Sequence, residues 1–414
     1  MSRFPIRDGI VHCEDVPLPQ LAEAVGTPLF VYSSAAMRDQ ARRLRAALAP
    51  LGGPLIAYAV KANPNAAVLA TLAAEGCGAD VVSGGEYARA RAAGVSADKI
   101  VFSGVGKTAA EMRQALDGGL RQFNLESAEE AEMLSQVASA MGRVAPVAIR
   151  VNPDIDAKSH PHISTGLRTN KFGMPFDQAR QIYRQHARQD GLEPVGIHVH
   201  VGSQITDVEP LRRAAERVAD LAAELAGDGI ALEHADIGGG LGISYDGSPV
   251  PTPADYAAAV LPAVRRSGLS LVTEPGRLMV GAAGRLLARV VDLKSYEGGA
   301  TFAVLDAGMA ELLRPALYGA FHRIEPVSGA VSGDHHYEIV GPVCESSDVV
   351  GRDRLLPELR AGDVVAIRDT GAYGSAMASN YNRRPLPAEV LVDAGTWRII
   401  RRRQTVADQL SLET

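Results

Sequence analysis

Hydrophobic and polar positions alternate along this chain in two textures. From Leu55 to Thr273, short apolar and β-branched runs are each followed by a segment rich in Ala, Leu, Glu and Arg. The runs are Leu55–Val60, Ala79–Ser83, Ile100–Ser103, Gln122–Leu125, Val147–Val151, Val195–Val201, His234–Ile237 and Leu269–Thr273. Eight strands with seven intervening segments predict a (β/α)8 TIM barrel, and their even spacing favours closure over a doubly wound open sheet. Beyond Gly284 the texture changes. Leu286–Leu293, Ala300–Asp306, His336–Val340, Asp363–Arg368 and Ala388–Val392 alternate between Gly, Asp and Pro turns. That pattern predicts a C-terminal all-β domain, sandwich-like or Greek-key. Upstream, Pro28 to Tyr32 reads as a strand and Ser34 to Leu48 as a helix with a serine start. Residues 1–26, broken by Pro17 and Pro19, have no place in the barrel and are expected to complete the β domain. The predicted division is a barrel over 27–280 and a β domain from 1–26 plus 281–414.

Composition narrows this picture without redirecting it. A chain of 414 residues is long for one core, so two domains are the natural expectation. Hydrophobic residues at 46 % and charged residues at 22 % are ordinary for a globular protein. The formal net charge is −6, and no basic run is long enough to suggest nucleic acid as a partner. Arg401 to Arg403 reads as a solvated surface cluster. Met1 to Pro19 lacks the apolar core of a signal peptide, and no later stretch is long and apolar enough for a bilayer. A cytoplasmic protein with no membrane partner is expected. Cys13, Cys77 and Cys344 form no disulfide framework, and the ten histidines show no metal-ligand spacing, so no metal is expected.

The candidate chemistry stands at the ends of the runs. In a barrel the active site is built from strand ends and the loops that follow them. Here those ends carry Lys61, Asp80 with Ser83, Ser103, Glu126, Arg150 with Asn152, His198 and His200 with Ser203, Gly238 to Gly240, and Glu274 with Arg277. Each has a structural alternative as a cap or turn; together they describe a polar ring around one pocket. Lys61 closes the first run in Tyr58-Ala59-Val60-Lys61-Ala62-Asn63. A lysine amine in apolar surroundings is easier to deprotonate and can then form a Schiff base; the alternative is a lysine capping a strand and reaching for water.

Three further segments carry chemistry. In His198-Val199-His200-Val201-Gly202-Ser203 the histidines face one way, where a flat imidazole can stack on a planar cofactor. Gly238-Gly239-Gly240-Leu241-Gly242 allows close backbone approach to a phosphate, and its position after the seventh run suits the phosphate site of barrels rather than a P-loop. Glu274-Pro275-Gly276-Arg277 offers a carboxylate for a protonated pyridine nitrogen and an arginine for a substrate carboxylate, or else a surface ion pair. In the β region, Gly341 to Asp348 holds Cys344 beside Glu345, Leu313 to Tyr318 supplies Arg314 and Tyr318, and Gly371-Ala372-Tyr373 supplies a phenol. The polar loop from Asp154 to Phe172 carries His160, His162 and Lys171 and is long enough for a lid.

Seven of these motifs occur together and in order: YAVKAN, HVHVGSQ, GGGLG, EPGR, RPALYGA, GPVCESSD and GAY. From about Gly26 to Val392 the chain resembles the fold-type III pyridoxal-phosphate-dependent decarboxylases. The resemblance implies a barrel plus a β domain, paired as a homodimer with shared active sites, and pyridoxal 5'-phosphate as cofactor. It implies Lys61 as the Schiff-base lysine and His200 stacked on the ring. Asp80, Ser203, Gly238, Gly239, Gly240, Gly276 and the backbone around Glu274 and Arg277 would hold the cofactor, with Tyr373. Glu274 would meet the pyridine nitrogen. Arg277, Arg314, Tyr318, Glu345 and Tyr373 would bind substrate; Cys344 and Glu345 would come from the partner subunit, with Cys344 the candidate proton donor. Residues 162–166 to 171–173 match the family's mobile loop.

Arg277 and Arg314 together suit a substrate ending in an amino-carboxylate. This implies decarboxylation of meso-2,6-diaminopimelate to L-lysine. Relatives acting on ornithine, lysine or arginine generally carry Cys-Asp where this chain has Cys344-Glu345. An alanine-racemase-like enzyme and a non-catalytic carrier of the cofactor are the remaining alternatives; neither needs the Cys-Glu pair. Phe321 departs from the tyrosine the family pattern leads one to expect.

Overall fold

The computed structural model describes residues 3–156, 171–186, 191–297, 299–330 and 332–413; His160, His162 and the rest of the predicted lid over 157–170 lie outside the described residues. The chain forms two compact units. One comprises Gln40–Ile243 and Pro249–Leu278, the other Met1–Asp39, Ser244–Ser248 and Met279–Thr414.

The first unit contains a closed barrel of eight parallel strands. They are Leu55–Ala59, Gly78–Val81, Ile100–Phe102, Gln122–Leu125, Ala145–Val151, Leu192–Val199, His234–Asp236 and Ser270–Thr273. Every expected run is a strand. Most of their residues are buried whichever way they point, because helices cover the outside and side chains fill the inside. The helices start where a Ser or Thr follows a strand. Ser83, Thr108, Ser127 and Thr252 each accept the backbone amide three residues on. Thr108 and Thr252 add the reciprocal carboxylate bond of a capping box. Ser83, one of the polar strand ends, is therefore a helix cap. The eighth strand is followed by one short helix, Arg277–Val280.

The second unit is built on a nine-stranded sheet. Its main path runs Val349–Leu356, His335–Val340, Thr301–Leu305, Gly284–Ser295, Leu29–Ser33, Ala388–Asp393, Thr396–Arg401. Val364–Arg368 pairs with Gly284–Ser295 and carries Ile324–Pro326. Leu29–Ser33 lies inside this sheet, antiparallel to Gly284–Leu287 and parallel to Ala388–Val392. The expected boundary at residue 27 thus falls inside the β unit, which keeps the chain as far as Asp39. Ile6–Arg7, Ile10–Cys13 and Val16–Pro17 form a separate three-stranded sheet. Phe4, Val11, Cys13, Val16, Leu18 and Leu21 pack into one core with Leu29, Leu287 and Val390. Pro17 and Pro19 do not break the helix Leu18–Val25: they stand at its start, where no amide partner is lost.

The basic cluster is more than a solvated patch. Arg401 pairs at 2.9 Å with buried Glu389, Arg402 pairs with Asp408, and Arg403 donates to the carbonyls of Gly26 and Pro28 at 3.0 and 2.8 Å.

Candidate active site

The C-terminal ends of the barrel strands carry a dense set of polar side chains. Lys61 sits on a single 3-10 turn, Val60–Ala62, directly after the first strand. Val60 and Ala62 are buried, so only the lysine side chain is directed out of the packing. Its Nζ donates to Asp80 Oδ2 at 3.0 Å, and Asp80, at the end of the second strand, is fully buried. Burial raises the Asp80 pKa and neighbouring Glu274 raises it further, while Lys61 pulls it down.

Glu274 follows the eighth strand and is buried. Its Oε1 accepts from Asn124 Nδ2 at 3.1 Å and from Ser103 Oγ at 3.4 Å; its Oε2 meets His198 Nε2 at 3.3 Å. Burial opposes ionisation of Glu274, but His198 and Lys61 outweigh it and hold the carboxyl below the usual range. Strands three, four, six and eight thus converge on one carboxylate. The surface ion-pair alternative for Glu274 and Arg277 falls, because both are buried.

His198 and His200 take different places despite facing the same way. His198 is a buried partner of Glu274. His200 is half-buried, and its Nδ1 accepts the Gly239 amide at 3.2 Å. Burial lowers its pKa well below the ordinary value, and Arg150 and Lys61 add to that, so the ring is neutral. A neutral imidazole whose edge is fixed by a backbone amide presents its flat face to whatever lies beside it.

The glycine turn is shaped by close approach. Gly238 and Gly240 have φ of 66° and 108°, which favour glycine. A Cβ on Gly239 would stand 2.1 Å from the Glu274 carbonyl oxygen. The amides of Gly238 and Gly239 donate to Asp236 and His200 at 3.0 and 3.2 Å. Ser203 Oγ accepts from Arg277 Nη2 at 3.1 Å, so these two predicted residues meet each other.

Glu126 and Arg150 form a buried ion pair at 2.7 Å. Burial opposes the Glu126 charge, but Arg150 overcomes it and the pKa falls. The other Glu126 oxygen accepts the Gly173 amide at 2.8 Å, and Asn152 Nδ2 donates to the Phe172 carbonyl at 3.1 Å. These two polar strand ends anchor the described end of the predicted lid. Asn124 and Asp236 were not singled out by sequence. The signal was there: Asn124 stands between Phe123 and Leu125, and Asp236 between Ala235 and Ile237.

The β unit positions its own predicted residues. Arg314 is buried and donates from Nη1 to His322 Nε2 at 2.7 Å, while His322 Nδ1 donates to the Arg368 carbonyl at 2.7 Å. The guanidinium lies 4.5 Å from the Tyr245 ring centre. Tyr318 ends the same short helix, Arg314–Tyr318. Cys344 and Glu345 are both exposed on one turn. Tyr381 donates its hydroxyl to Glu345, and Ser347 adds a bond at 3.0 Å; these bonds lower the Glu345 pKa. Tyr373 has a φ of 56°, a conformation costly for a bulky residue and a mark of functional sites. Phe321 is partly exposed, with the Arg354 guanidinium 3.7 Å from its ring centre.

The family model for the pyridoxal-binding domain of pyridoxal-dependent decarboxylases matches residues 35–281. The chain belongs to the pyridoxal-dependent decarboxylases. It is 49 % identical over 401 residues to the diaminopimelate decarboxylase of Neisseria meningitidis serogroup A, covering 97 % of this chain and 98 % of that one. It is 47 % identical over 409 residues to the Pseudomonas aeruginosa enzyme of the same name, covering 99 % and 98 %. The crystal structure of Helicobacter pylori diaminopimelate decarboxylase complexed with L-lysine superposes with a TM-score of 0.92 at 40 % identity, over 96 % of this chain and 99 % of that one.

A decarboxylase of this family uses pyridoxal phosphate and acts on an amino acid. The barrel residues fit that cofactor. A primary amine stands at the mouth, a carboxylate kept ionised lies on the floor, and a neutral imidazole has one edge fixed. Asp80 Oδ1 and His198 Nδ1 are buried with no hydrogen-bond partner, the kind of polar atom a bound polar ring would leave near its contacts. Among the described residues no helix is long and apolar enough to cross a membrane.

Proposed function

We propose that this decarboxylase converts meso-2,6-diaminopimelate to L-lysine and carbon dioxide, as the last step of lysine synthesis. Bound pyridoxal phosphate supplies the electron sink for the departing carboxylate's bond electrons. The chain's own residues do the rest. Lys61 would hold the cofactor through its amine. Glu274 keeps a proton on the ring nitrogen, and His200 covers the ring face. Ser203, the turn from Gly238 to Gly240, Gly276 and Tyr373 hold the phosphate, and Asp80 keeps the Lys61 amine in place.

Arg277 and Arg314 bind the far carboxylate in bidentate fashion, with Tyr318 beside them. Cys344 returns a proton to the carbon that loses its carboxylate, and Glu345 binds the distal amine. In this reading the protein is a homodimer whose active sites are shared, with Cys344 and Glu345 reaching the partner's barrel. The single observation that carries the function is the Glu274 carboxylate. It is buried, kept ionised, and fixed by Ser103, Asn124 and His198 in the barrel that also presents Lys61.

Carbon dioxide release from purified protein and pyridoxal phosphate tests the substrate. The substrates offered in parallel are meso-diaminopimelate, lysine, ornithine and arginine. Release from meso-diaminopimelate, abolished in Lys61→Ala, is expected. Preference for a basic amino acid would overturn the substrate. Absence of release from all four, with the cofactor's visible band intact, would overturn the decarboxylase reading in favour of a racemase or a carrier.

A further inference from the structure

Asp236 has no part in the reading above, yet it belongs to the same floor. It ends the seventh barrel strand and is fully buried. Its Oδ1 accepts the Gly238 amide at 3.0 Å. Its Oδ2 is buried and meets no N–H or hydroxyl donor. His198, Asp236 and Glu274 each present an atom to the other two, and these atoms lie within 4.8 Å of one another.

Two carboxylates this close, out of water, do not both ionise; one keeps a proton. The donors decide which. Glu274 is faced by Asn124, Ser103 and His198, whereas Asp236 has one backbone amide and no ion pair among the described residues. His198 lies in the same cluster with its Nε2 turned to Glu274 Oε2, and the remaining ionisable groups facing Asp236, Asp80 and Tyr256, offer it no positive charge.

We propose that Asp236 is a protonated carboxylic acid at neutral pH whose O–H donates from Oδ2 to the Glu274 carboxylate, making it a positioning residue for Glu274. The arrangement satisfies the orphaned oxygen and removes the second negative charge from the floor in one step. Burial pushes the Asp236 pKa well above the usual carboxylate range, and Glu274 pushes it further. A neutral donor behind Glu274 fixes the plane of its carboxylate, leaving it as the charged acceptor for a ring nitrogen. That last role rests on the proposed function; the protonation does not.

The test therefore begins on protein stripped of cofactor. Difference infrared spectroscopy of parent minus Asp236→Asn, at pH 7 in heavy water, is expected to show the carbonyl band of one buried protonated carboxylic acid. Its absence overturns the proposal. Should Asp236→Asn fail to fold, Glu274→Gln serves instead. Without the neighbouring charge, the acid band is expected to titrate away at lower pH than in the parent, and an unmoved titration overturns the proposal. On the holoenzyme, Asp236→Asn keeps a neutral donor and Asp236→Val does not. The asparagine variant is expected to retain at least about tenfold more kcat than the valine variant, at similar KM, the size of one hydrogen bond to a charge. Equal kcat in the two would overturn the positioning role while leaving the infrared result standing.

Discussion

The strand ends of the barrel and the turn from Gly341 to Asp348 hold their candidate site residues by opposite means. In the barrel the polar side chains are buried and hold one another: Lys61 with Asp80, Glu126 with Arg150, Glu274 with Ser103, Asn124 and His198. In the turn, one buried acid holds the backbone and leaves the chemistry outside. Asp348 accepts the amides of Met309 and Val343 at 2.6 and 2.7 Å, while Cys344 and Glu345 are exposed. Gly341 has to be glycine there, because a Cβ would stand 2.3 Å from the Asp348 carboxylate. A network of buried charges ties activity to stability; a turn fixed by its backbone separates them.

Five substitutions break or sharpen that contrast. Lys61→Ala is expected to lower turnover by more than about 10³-fold, read as carbon dioxide release. Glu274→Ala is expected to cut kcat by roughly 10²- to 10⁴-fold while pyridoxal phosphate still binds, read by absorbance. Near-normal turnover in that variant would remove Glu274 from its role. Glu126→Ala leaves Arg150 buried without its carboxylate and is expected to cost about 3–5 kcal/mol in urea unfolding.

The fourth concerns pH. Buried His234 is lowered to about 4, first by burial and then by Arg121. Its Nδ1 accepts from Arg121 and its Nε2–H donates to Gln122, so a second ring proton would face the guanidinium. The unfolded ring titrates near ~6.5, so this contribution is full above that pH and is lost as pH falls toward the folded value. His234→Gln is expected to flatten the stability profile over that window; an unchanged acid slope would refute the assignment. Last, Cys344→Ser is expected to shift the unfolding free energy by less than about 0.5 kcal/mol. A larger shift would show that the turn, too, depends on its functional side chains.

The barrel was legible because short runs rich in apolar residues recur along the chain, each with a polar group or glycines at its end. Gln122–Leu125 has the bounds its pattern predicts, and the others differ by one to three residues at an end. The ring of polar ends was legible for the same reason. Harder to see were Asn124 and Asp236, which stand two residues before Glu126 and Gly238, where period counting expects packing. The β unit was only partly legible. Ile324–Pro326, Val349–Leu356 and Thr396–Arg401 mix charged and apolar residues, and pairing rather than periodicity makes them strands. Leu29–Ser33 is adjacent to the barrel in sequence, and only its partners assign it to the other unit. His322 and Tyr245 behind Arg314 left no spacing to read, because distant segments bring them together.

The short turn carrying Lys61 has a kinetic consequence. Its neighbours Val60, Ala62 and Asn63 are packed, and the Asn63 carbonyl is tied to the Tyr58 hydroxyl at 3.2 Å. A lysine that holds the cofactor here, as proposed, would stay beside it and move only by swinging on its own four-carbon stem. An amine tethered this way competes at an effective concentration far above that of any free amine in solution. Under the proposed function, resetting the site would then need no second molecule to arrive.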